Sequence, residues 1–158
     1  MATLAQISQN LQLLRNKQSF YDEVLRIAAR FEAYLIDLNQ IQLTEGKNIR
    51  GETIGTYSKA TEAIAAQEST RESKNAGENY NFQWTGELFD GMYLRITSEY
   101  LEIFSTAPHA TIVSETYGNI FGENAIFGLT EAHLIEFVRD KLMPEVQRYV
   151  WKTLNLAA

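Results

Sequence analysis

Residues 84–105 read WTGELFDGMYLRITSEYLEIFS and carry the clearest structural pattern of the chain. Thr85 can cap a single helical turn over 86–91, because its hydroxyl can accept a backbone N–H that the first turn leaves unpaired. Apolar and polar side chains alternate over 92–97 and again over 100–105, and a period of two is typical of strands. Only two residues separate these segments. The stretch therefore predicts a short turn followed by an antiparallel hairpin.

Helical patterns lie on both sides of this hairpin. Apolar residues recur at spacings of three and four over 3–15 and again over 20–43, where Ser19 is the predicted cap. Thr130 caps a final helix, in which Pro144 predicts a kink or restart. Eight side chains of that helix are predicted to face inward: Leu134, Ile135, Phe137, Val138, Leu142, Val146, Val150 and Trp151. Two shorter helices are predicted at 59–68, after Ser58, and at 111–117, before Gly118.

Two polar segments interrupt the regular patterns. Residues 46–57, GKNIRGETIGTY, contain three glycines, which favours a loop. Residues 69–81 offer no large apolar side chain as an anchor, and we interpret them as a mobile excursion. The whole pattern predicts one α+β domain over 1–158, with long N- and C-terminal helices packed on a small antiparallel sheet. Within that domain we predict an N-terminal helical arm at 1–18 and extended loops at 45–57 and 68–81.

The composition restricts the possible chemistry. The chain has 158 residues and no cysteine, which excludes disulfides, thiolate metal sites and thiol catalysis. Acidic residues outnumber basic ones by 20 to 14, so a broad grip on nucleic acid phosphates is not expected. No apolar run reaches the roughly 18–20 residues that span a bilayer, and we expect no membrane partner.

The sequence contains no recognisable catalytic or metal-binding motif. His109 and His133 lie 24 residues apart and have no metal-ligand spacing. The Gly46-Lys47 pair fails as a phosphate loop, because Ile41 stands where glycine is required and Asn48 where Ser or Thr would hold magnesium. We therefore predict no catalytic, cofactor or metal residues, and a chain that is not an enzyme.

Aromatic residues concentrate between positions 80 and 104, and two interpretations of them stay open. They can form the core around a small sheet, or they can form an interface, since aromatic side chains dominate protein contacts. Tyr93, Tyr100 and Phe104 would lie on the second face of the hairpin, which needs a helix or another chain to cover it. The seven residues are Tyr80, Phe82, Trp84, Phe89, Tyr93, Tyr100 and Phe104.

Four short motifs carry a resemblance to a known family. They are G-K-x-x-x-G-E-x-I-G-x-Y-S from Gly46, W-T-G-E-L-F from Trp84, Y-G-x-I-F-G from Tyr117 and F-G-L-T from Phe127. Over about 20–150, the chain resembles small virion proteins of tailed phages, of the tail-completion or head–tail connector (neck) kind. The resemblance implies a long N-terminal helix, a TG-x-L turn into a sheet, a glycine-marked loop and a final helix.

The resemblance also implies a function. It predicts a non-enzymatic structural component of the virion, assembled in the host cytoplasm, that forms an oligomeric ring at the head–tail junction. The expected partners are other copies of the chain (six or twelve in the ring), a portal or adaptor protein, and a tail-tube or tail-hub protein. DNA would only pass through the channel, and an acidic lumen would adhere to it poorly.

Two alternatives come from other functional classes. One is an intracellular adaptor or inhibitor domain that binds a single host protein. The weaker one is a small hydrolase that uses a pair of carboxylates in an apolar pocket.

Eight residues are predicted to make or support the contacts of a ring. Charged and aromatic side chains of the two loops would touch neighbours, and two aromatic residues would support the entry to the sheet. The competing interpretation is ordinary solvated loop and core. The loop residues are Lys47, Arg50, Tyr57, Arg71, Lys74 and Tyr80, and the supporting residues are Trp84 and Phe89.

Overall fold

Helices surround one two-stranded antiparallel sheet in a computed structural model that describes residues 3–68 and 70–155. This arrangement confirms the predicted α+β class. The predicted arm at 1–18 and loop at 68–81 include residues 1, 2 and 69, which lie outside the described ranges. The helices are α1 (Leu4–Arg15), α2 (Lys17–Ala29), α3 (Glu32–Thr44), α4 (Lys59–Ala65), α5 (Glu87–Asp90), α6 (Ala110–Phe121), α7 (Glu131–Phe137) and α8 (Met143–Thr153).

The hairpin forms where the sequence predicts it. Strands β1 (Met92–Ile96) and β2 (Leu101–Ser105) pair with Met92 opposite Ser105 and Ile96 opposite Leu101. At the turn, the Thr97 N–H donates to the Tyr100 carbonyl at 2.9 Å. A cross-strand ion pair joins Arg95 to Glu102, with 2.9 Å between Nε and Oε2. Local alternation and a short connection are therefore sufficient to set this register.

Side-chain caps at Ser58 and Thr130 also follow the prediction. The Ser58 hydroxyl accepts the Thr61 N–H at 3.1 Å, and α4 begins at the next residue. The Thr130 hydroxyl accepts the His133 N–H at 3.3 Å at the start of α7. Each cap satisfies a backbone donor that the first helical turn cannot pair internally.

The long helical stripe over 20–43 is not one helix, and this prediction is wrong. Helix α2 ends at Ala29 and α3 begins at Glu32, because Phe31 leaves helical geometry with φ −98° and ψ 22°. The Phe31 ring then packs edge-on against Phe137, with 5.8 Å between centroids. The cap of α2 is Asn16, whose Oδ1 accepts the Ser19 N–H, so the predicted cap at Ser19 is also corrected.

Proline and glycine act differently in the C-terminal third. A π-helical turn over Val138–Leu142 follows α7, and α8 restarts at Met143 with Pro144 in its first turn, as predicted. The π-helical turn accommodates the proline: the Met143 N–H donates to the Val138 carbonyl, five residues back, so the regular i→i−4 ladder is interrupted directly before Pro144. Gly118 does not stop α6, contrary to prediction. The helix continues to Phe121 and ends at Gly122, whose φ of +98° favours glycine.

The core consists of two apolar clusters. The larger one joins α3, the hairpin, α5 and the segment before α7, and the smaller one joins α2, α3 and α7. Buried members of the larger cluster are Leu43, Ile54, Leu88, Phe89, Met92, Ile103, Ala110, Ile126 and Phe127, and those of the smaller are Ala28, Leu35, Leu38 and Phe137.

No helix of the described part of the chain is long and apolar enough to cross a bilayer.

Candidate interaction surfaces

The two polar segments form one unit, which we call the paired loops (46–57 and 70–83). An isolated β-bridge links Thr56 to Asn79, and the Tyr80 N–H donates to the Gly55 carbonyl at 3.0 Å. A Cβ on Gly55 would lie 2.6 Å from the Tyr80 ring. Glycine at this position therefore lets the second segment lie directly on the first.

A buried lysine organises the centre of the paired loops. Lys74 is only 3% exposed, and its Nζ donates to Asn81 Oδ1 at 2.7 Å and to the Gln83 carbonyl at 3.1 Å. The Tyr57 hydroxyl donates to the same Asn81 oxygen at 2.9 Å. Burial lowers the pKa of Lys74 and raises the pKa of Tyr57. The interpretation that 69–81 has no anchor is wrong, because the lysine stem supplies apolar length and its ammonium finds polar partners.

Aromatic rings connect the paired loops to α6. Tyr57 and Tyr80 meet edge-on at 5.0 Å between centroids, and Phe82 meets Tyr117 of α6 at 5.3 Å. Burial raises the pKa of the Tyr117 hydroxyl. Edge-on pairs of this kind stabilise packing by roughly 0.5–1.5 kcal/mol beyond the burial of their area. The rings therefore fix the loop pair against the helical scaffold.

Asn48 closes the first loop from inside. Its Oδ1 accepts the backbone N–H of Arg50 at 2.9 Å and that of Glu52 at 3.0 Å. The Ile49 N–H donates to the Ala125 carbonyl at 3.0 Å, which ties the loop to the segment before α7. Because Asn48 is fully buried, these bonds replace those that water would otherwise provide.

The predicted contact residues divide into three groups. Arg50 and Arg71 are exposed and Lys47 is half-buried, where it pairs with Glu45 at 2.8 Å. Tyr57 and Lys74 are buried, so the prediction that they touch a neighbour directly is corrected: they support the loop surface from inside. The remaining three, Tyr80, Trp84 and Phe89, are partly or fully buried, in positions from which they can support a surface.

Arg71 lies across the turn that leads into the sheet. The Arg71 guanidinium pairs with Asp90 at 2.8 Å, and the Arg71 backbone N–H donates to the Trp84 carbonyl at 2.7 Å. The Trp84 indole donates to Glu68 at 2.8 Å. Gly86 occupies the N-cap of α5 with φ +92°, while the predicted cap Thr85 accepts the Glu87 N–H at a long 3.4 Å. A side chain at Gly86 would collide with the Arg71 side chain.

Large apolar side chains are exposed on several separate elements. Leu4 and Leu11 of α1 are 86% and 45% exposed. In the C-terminal helices, the prediction that Leu134, Ile135 and Trp151 face inward is wrong, since each is about half exposed. Other exposed apolar residues lie at the hairpin end (Ile96 and Tyr100) and on α6 (Ile112 and Ile120).

The two interpretations of the hairpin aromatics apply to different residues. Phe104 belongs to the core, where its ring lies 5.5 Å from that of Phe127 and also meets Tyr93 at 6.4 Å. Tyr100 is half exposed at the end of the hairpin. Core packing therefore accounts for Phe104, and Tyr100 remains available for contact.

An open apolar groove of about 560 Å³ lies between the hairpin, α3 and α7. Two side chains of α3 fix the segment 126–130, which lines the groove. The Asn39 side chain donates to the carbonyls of Ile126 and Gly128 at 2.9 and 2.7 Å. The Gln42 side chain accepts the Thr130 N–H at 2.8 Å. The apolar side chains that line the groove are Leu35, Leu94, Tyr100, Leu101, Ile103, Phe127, Leu129, Leu134 and Phe137.

Glutamates line one part of this groove. Glu102 and Glu123 belong to its wall and also to an adjoining polar trough of about 580 Å³, which adds Glu115. Neither Glu115 nor Glu123 forms an ion pair with any residue that the structure describes. The groove therefore offers an apolar floor that continues into an acidic trough.

Sequence patterns do not indicate this groove directly, because its walls come from segments far apart in the chain. One pattern does point to it. Residues 134–138, from α7 into the π-helical turn, contain Leu134, Ile135, Phe137 and Val138, which occupy a wider arc than the roughly 100° stripe that a core-facing helix needs.

Comparisons with protein-family models, with curated protein sequences and with solved structures find no match to this chain. In residues 3–68 and 70–155, no group of three acidic or histidine side chains is placed to hold a metal ion.

Proposed function

We propose that this chain is a non-enzymatic structural component of a tailed-phage virion, in which copies form a ring at the head–tail junction. The ring would join portal-side and tail-side proteins around the DNA channel. The observation that carries this proposal is the exposure of large apolar side chains on α1, α6, α7 and the hairpin end.

Exposed apolar surface on several elements fits a chain with several neighbours. Isolated apolar residues on a surface are ordinary, but each half-exposed leucine or isoleucine still gains about 25 cal/mol for every Å² that a partner removes from water. A ring requires two different surfaces on every copy, because its contacts are head-to-tail. A single binary partner would cover only one of them.

The four motifs that carry the family resemblance support the same proposal. Three of them lie against one another: a Cβ on Gly128 of the fourth motif would lie 2.9 Å from the Ile49 side chain of the first, and a Cβ on Gly122 of the third would lie 3.3 Å from the Arg50 guanidinium of the first. The second motif, at Trp84, forms the entry to the sheet. The motifs therefore belong to one packed unit instead of being scattered over the surface.

The exposed cations of the paired loops supply polar contacts for such a ring. Arg50 is exposed beside Gly122, and Arg71 pairs with an exposed carboxylate that a neighbour can replace. Both extend from loops whose backbones are fixed by Asn48 and Lys74. Ordering of these loops therefore adds little to the entropic cost of assembly.

The experiment is a direct measurement of assembly. Sedimentation velocity and negative-stain electron microscopy of the purified chain, over a wide range of concentrations, should show closed rings of six or twelve copies. Arg50→Glu should lower the ring fraction, whereas Arg139→Glu, a matched reversal at an exposed arginine of the π-helical turn, should not. In native virions, mass spectrometry should find the chain in a multiple of six copies.

Three outcomes would contradict the proposal. A chain that stays monomeric at every concentration and is absent from mature particles would favour an adaptor that binds one host protein. Equal loss of rings in both arginine variants would remove the paired loops from the interface. Turnover of an ester or glycoside that depends on Glu102 and Glu123 would favour the hydrolase alternative.

A further inference from the structure

Helix α1 exposes part of an apolar face, as does a helix that binds a partner surface. Leu4, Ile7, Leu11 and Leu14 form one face of the helix, and the outermost of them, Leu4, is the most exposed large apolar side chain of the described residues. The helix packs against α2, to which it is joined through the extended residue Asn16. Twelve residues give it a length of about 18 Å. Ile7 and Leu14 are half-buried, so the uncovered part of this face, within the described residues, is Leu4 and Leu11.

The apolar groove is the matching surface. Its lining includes α3, the hairpin and α7, and none of the α1 side chains that the structure describes in the same copy. Leu134 is 49% exposed at this groove, so one of its walls is also uncovered. Burying both faces at once would remove two exposed apolar surfaces from water in a single contact.

The charges of α1 and of the groove are complementary. The twelve residues of α1 contain no acidic side chain, and their one charged residue is Arg15, which lies one turn after Leu11 on the edge of the apolar face. Within the described residues, the groove and its trough are lined by Glu115 and Glu123, which have no ion-pair partner there, by Glu102, which already pairs with Arg95, and by no lysine or arginine. An arm whose leucines enter the groove would bring Arg15 towards these carboxylates.

We propose that α1 of one copy docks in the apolar groove of the next copy, with Arg15 facing the acidic trough. This inference rests on the proposed function in that it names the contact through which the copies associate. The arm and the groove are different surfaces, so every copy gives one contact and receives one. Such a head-to-tail contact closes into a ring when its rotation permits.

Four glutamate substitutions at exposed positions test the contact. Leu11→Glu places a charge on the apolar face of the arm, and Leu134→Glu places one in the groove. Their matched controls are Gln9→Glu, on the opposite face of α1, and Ala132→Glu, at an exposed position of α7 outside the groove lining. The first two variants should raise the concentration for half-assembly by at least about tenfold, and the controls should leave it near the wild-type value. Circular dichroism should show an unchanged fold in all four.

Mixing the two defective variants gives the decisive result. Leu11→Glu keeps an intact groove and Leu134→Glu keeps an intact arm, so an equimolar mixture should form heterodimers although each variant alone is monomeric. Failure of the mixture to associate would overturn the arm–groove contact.

The remaining outcomes separate this inference from the proposed function. If the wild type forms rings and both defective variants form them equally well, the arm–groove contact is wrong and the ring proposal stands. If the wild type is monomeric and Leu11→Glu lowers its stability, the arm occupies the groove of its own copy, which overturns the contact between copies. If the wild type is monomeric and Leu11→Glu leaves the stability of the fold unchanged, copies of the chain do not associate, and both the contact and the ring proposal fail.

Discussion

The paired loops and the helical arm differ in a way that their compositions do not suggest. Asn48 and Lys74 are polar and lie in a glycine-rich, charged part of the sequence, yet both are buried. Leu4 and Leu11 belong to a regular apolar stripe, yet both are exposed. Burial therefore depends on the partners that a side chain contacts, and polarity alone does not determine it.

The physical reason differs between the two regions. Each buried polar side chain of the paired loops has hydrogen-bond partners at 2.7–3.1 Å, which offsets the cost of its removal from water. Among the α1 side chains that the structure describes, Ile7 and Leu14 are half-buried, and the exposed Leu4 and Leu11 gain by burial only if another surface meets them.

The largest effect on stability is expected when leucine is replaced by alanine at a buried position, compared with the same substitution at an exposed one. Leu43→Ala should lower the free energy of unfolding by about 2–5 kcal/mol, because this leucine is fully buried in the larger core cluster. Leu11→Ala, measured in urea at a concentration at which copies are dissociated, should change it by less than about 0.5 kcal/mol. A large loss at Leu11 would mean that the arm is covered within one copy.

A second test removes the buried amide of the paired loops. Asn48→Ala leaves the N–H groups of Arg50 and Glu52 without their acceptor, and should cost about 1–3 kcal/mol in urea unfolding. Asn75→Ala is the control, since this exposed amide bonds only to Glu78. Equal effects of the two substitutions would show that the first loop is solvated and not closed by Asn48.

A third test uses the pH dependence that burial of Lys74 creates. Burial lowers the pKa of this ammonium below 10.5 in the folded state, so the unfolded chain binds more protons between the lowered value and 10.5. Raising the pH through that window should therefore stabilise the wild type relative to Lys74→Met. The raised pKa of Tyr57 acts in the opposite direction but is present in both proteins. A difference in unfolding free energy that is flat or falls with pH would contradict the burial of Lys74.

The smallest effect on stability is expected at the surface of the paired loops. Arg71→Gln removes an exposed ion pair to Asp90, and solvent and salt screen such pairs strongly. The midpoint of urea unfolding should not move measurably, with or without added salt, whereas ring formation should weaken if Arg71 contacts a neighbour. A clear loss of stability would instead assign Arg71 a structural role across Gly86.

Much of the local structure could be predicted from the sequence. The hairpin over 92–105, the caps at Ser58 and Thr130 and the restart at Pro144 all depend on residues within a few positions of each other. The eight predicted contact residues lie in the loops or at the sheet entry, but the sequence does not separate exposed Arg50 from buried Lys74. The groove was not predicted, because residues 94–103 and 123–137 meet only in three dimensions.

The sequence by itself determined which segments are helical or extended, because capping, alternation and proline geometry act over one or two turns of chain. Only the tertiary structure decided where those segments break and which side they bury. The α2–α3 break lies where Phe31 packs on the distant Phe137. Lys74 is buried because the Asn81 side chain and the Gln83 carbonyl, 7 and 9 residues further along, accept hydrogen bonds from its ammonium. In both cases a contact outside the segment's own helical turn or strand outweighs a local preference of about 1 kcal/mol or less per residue.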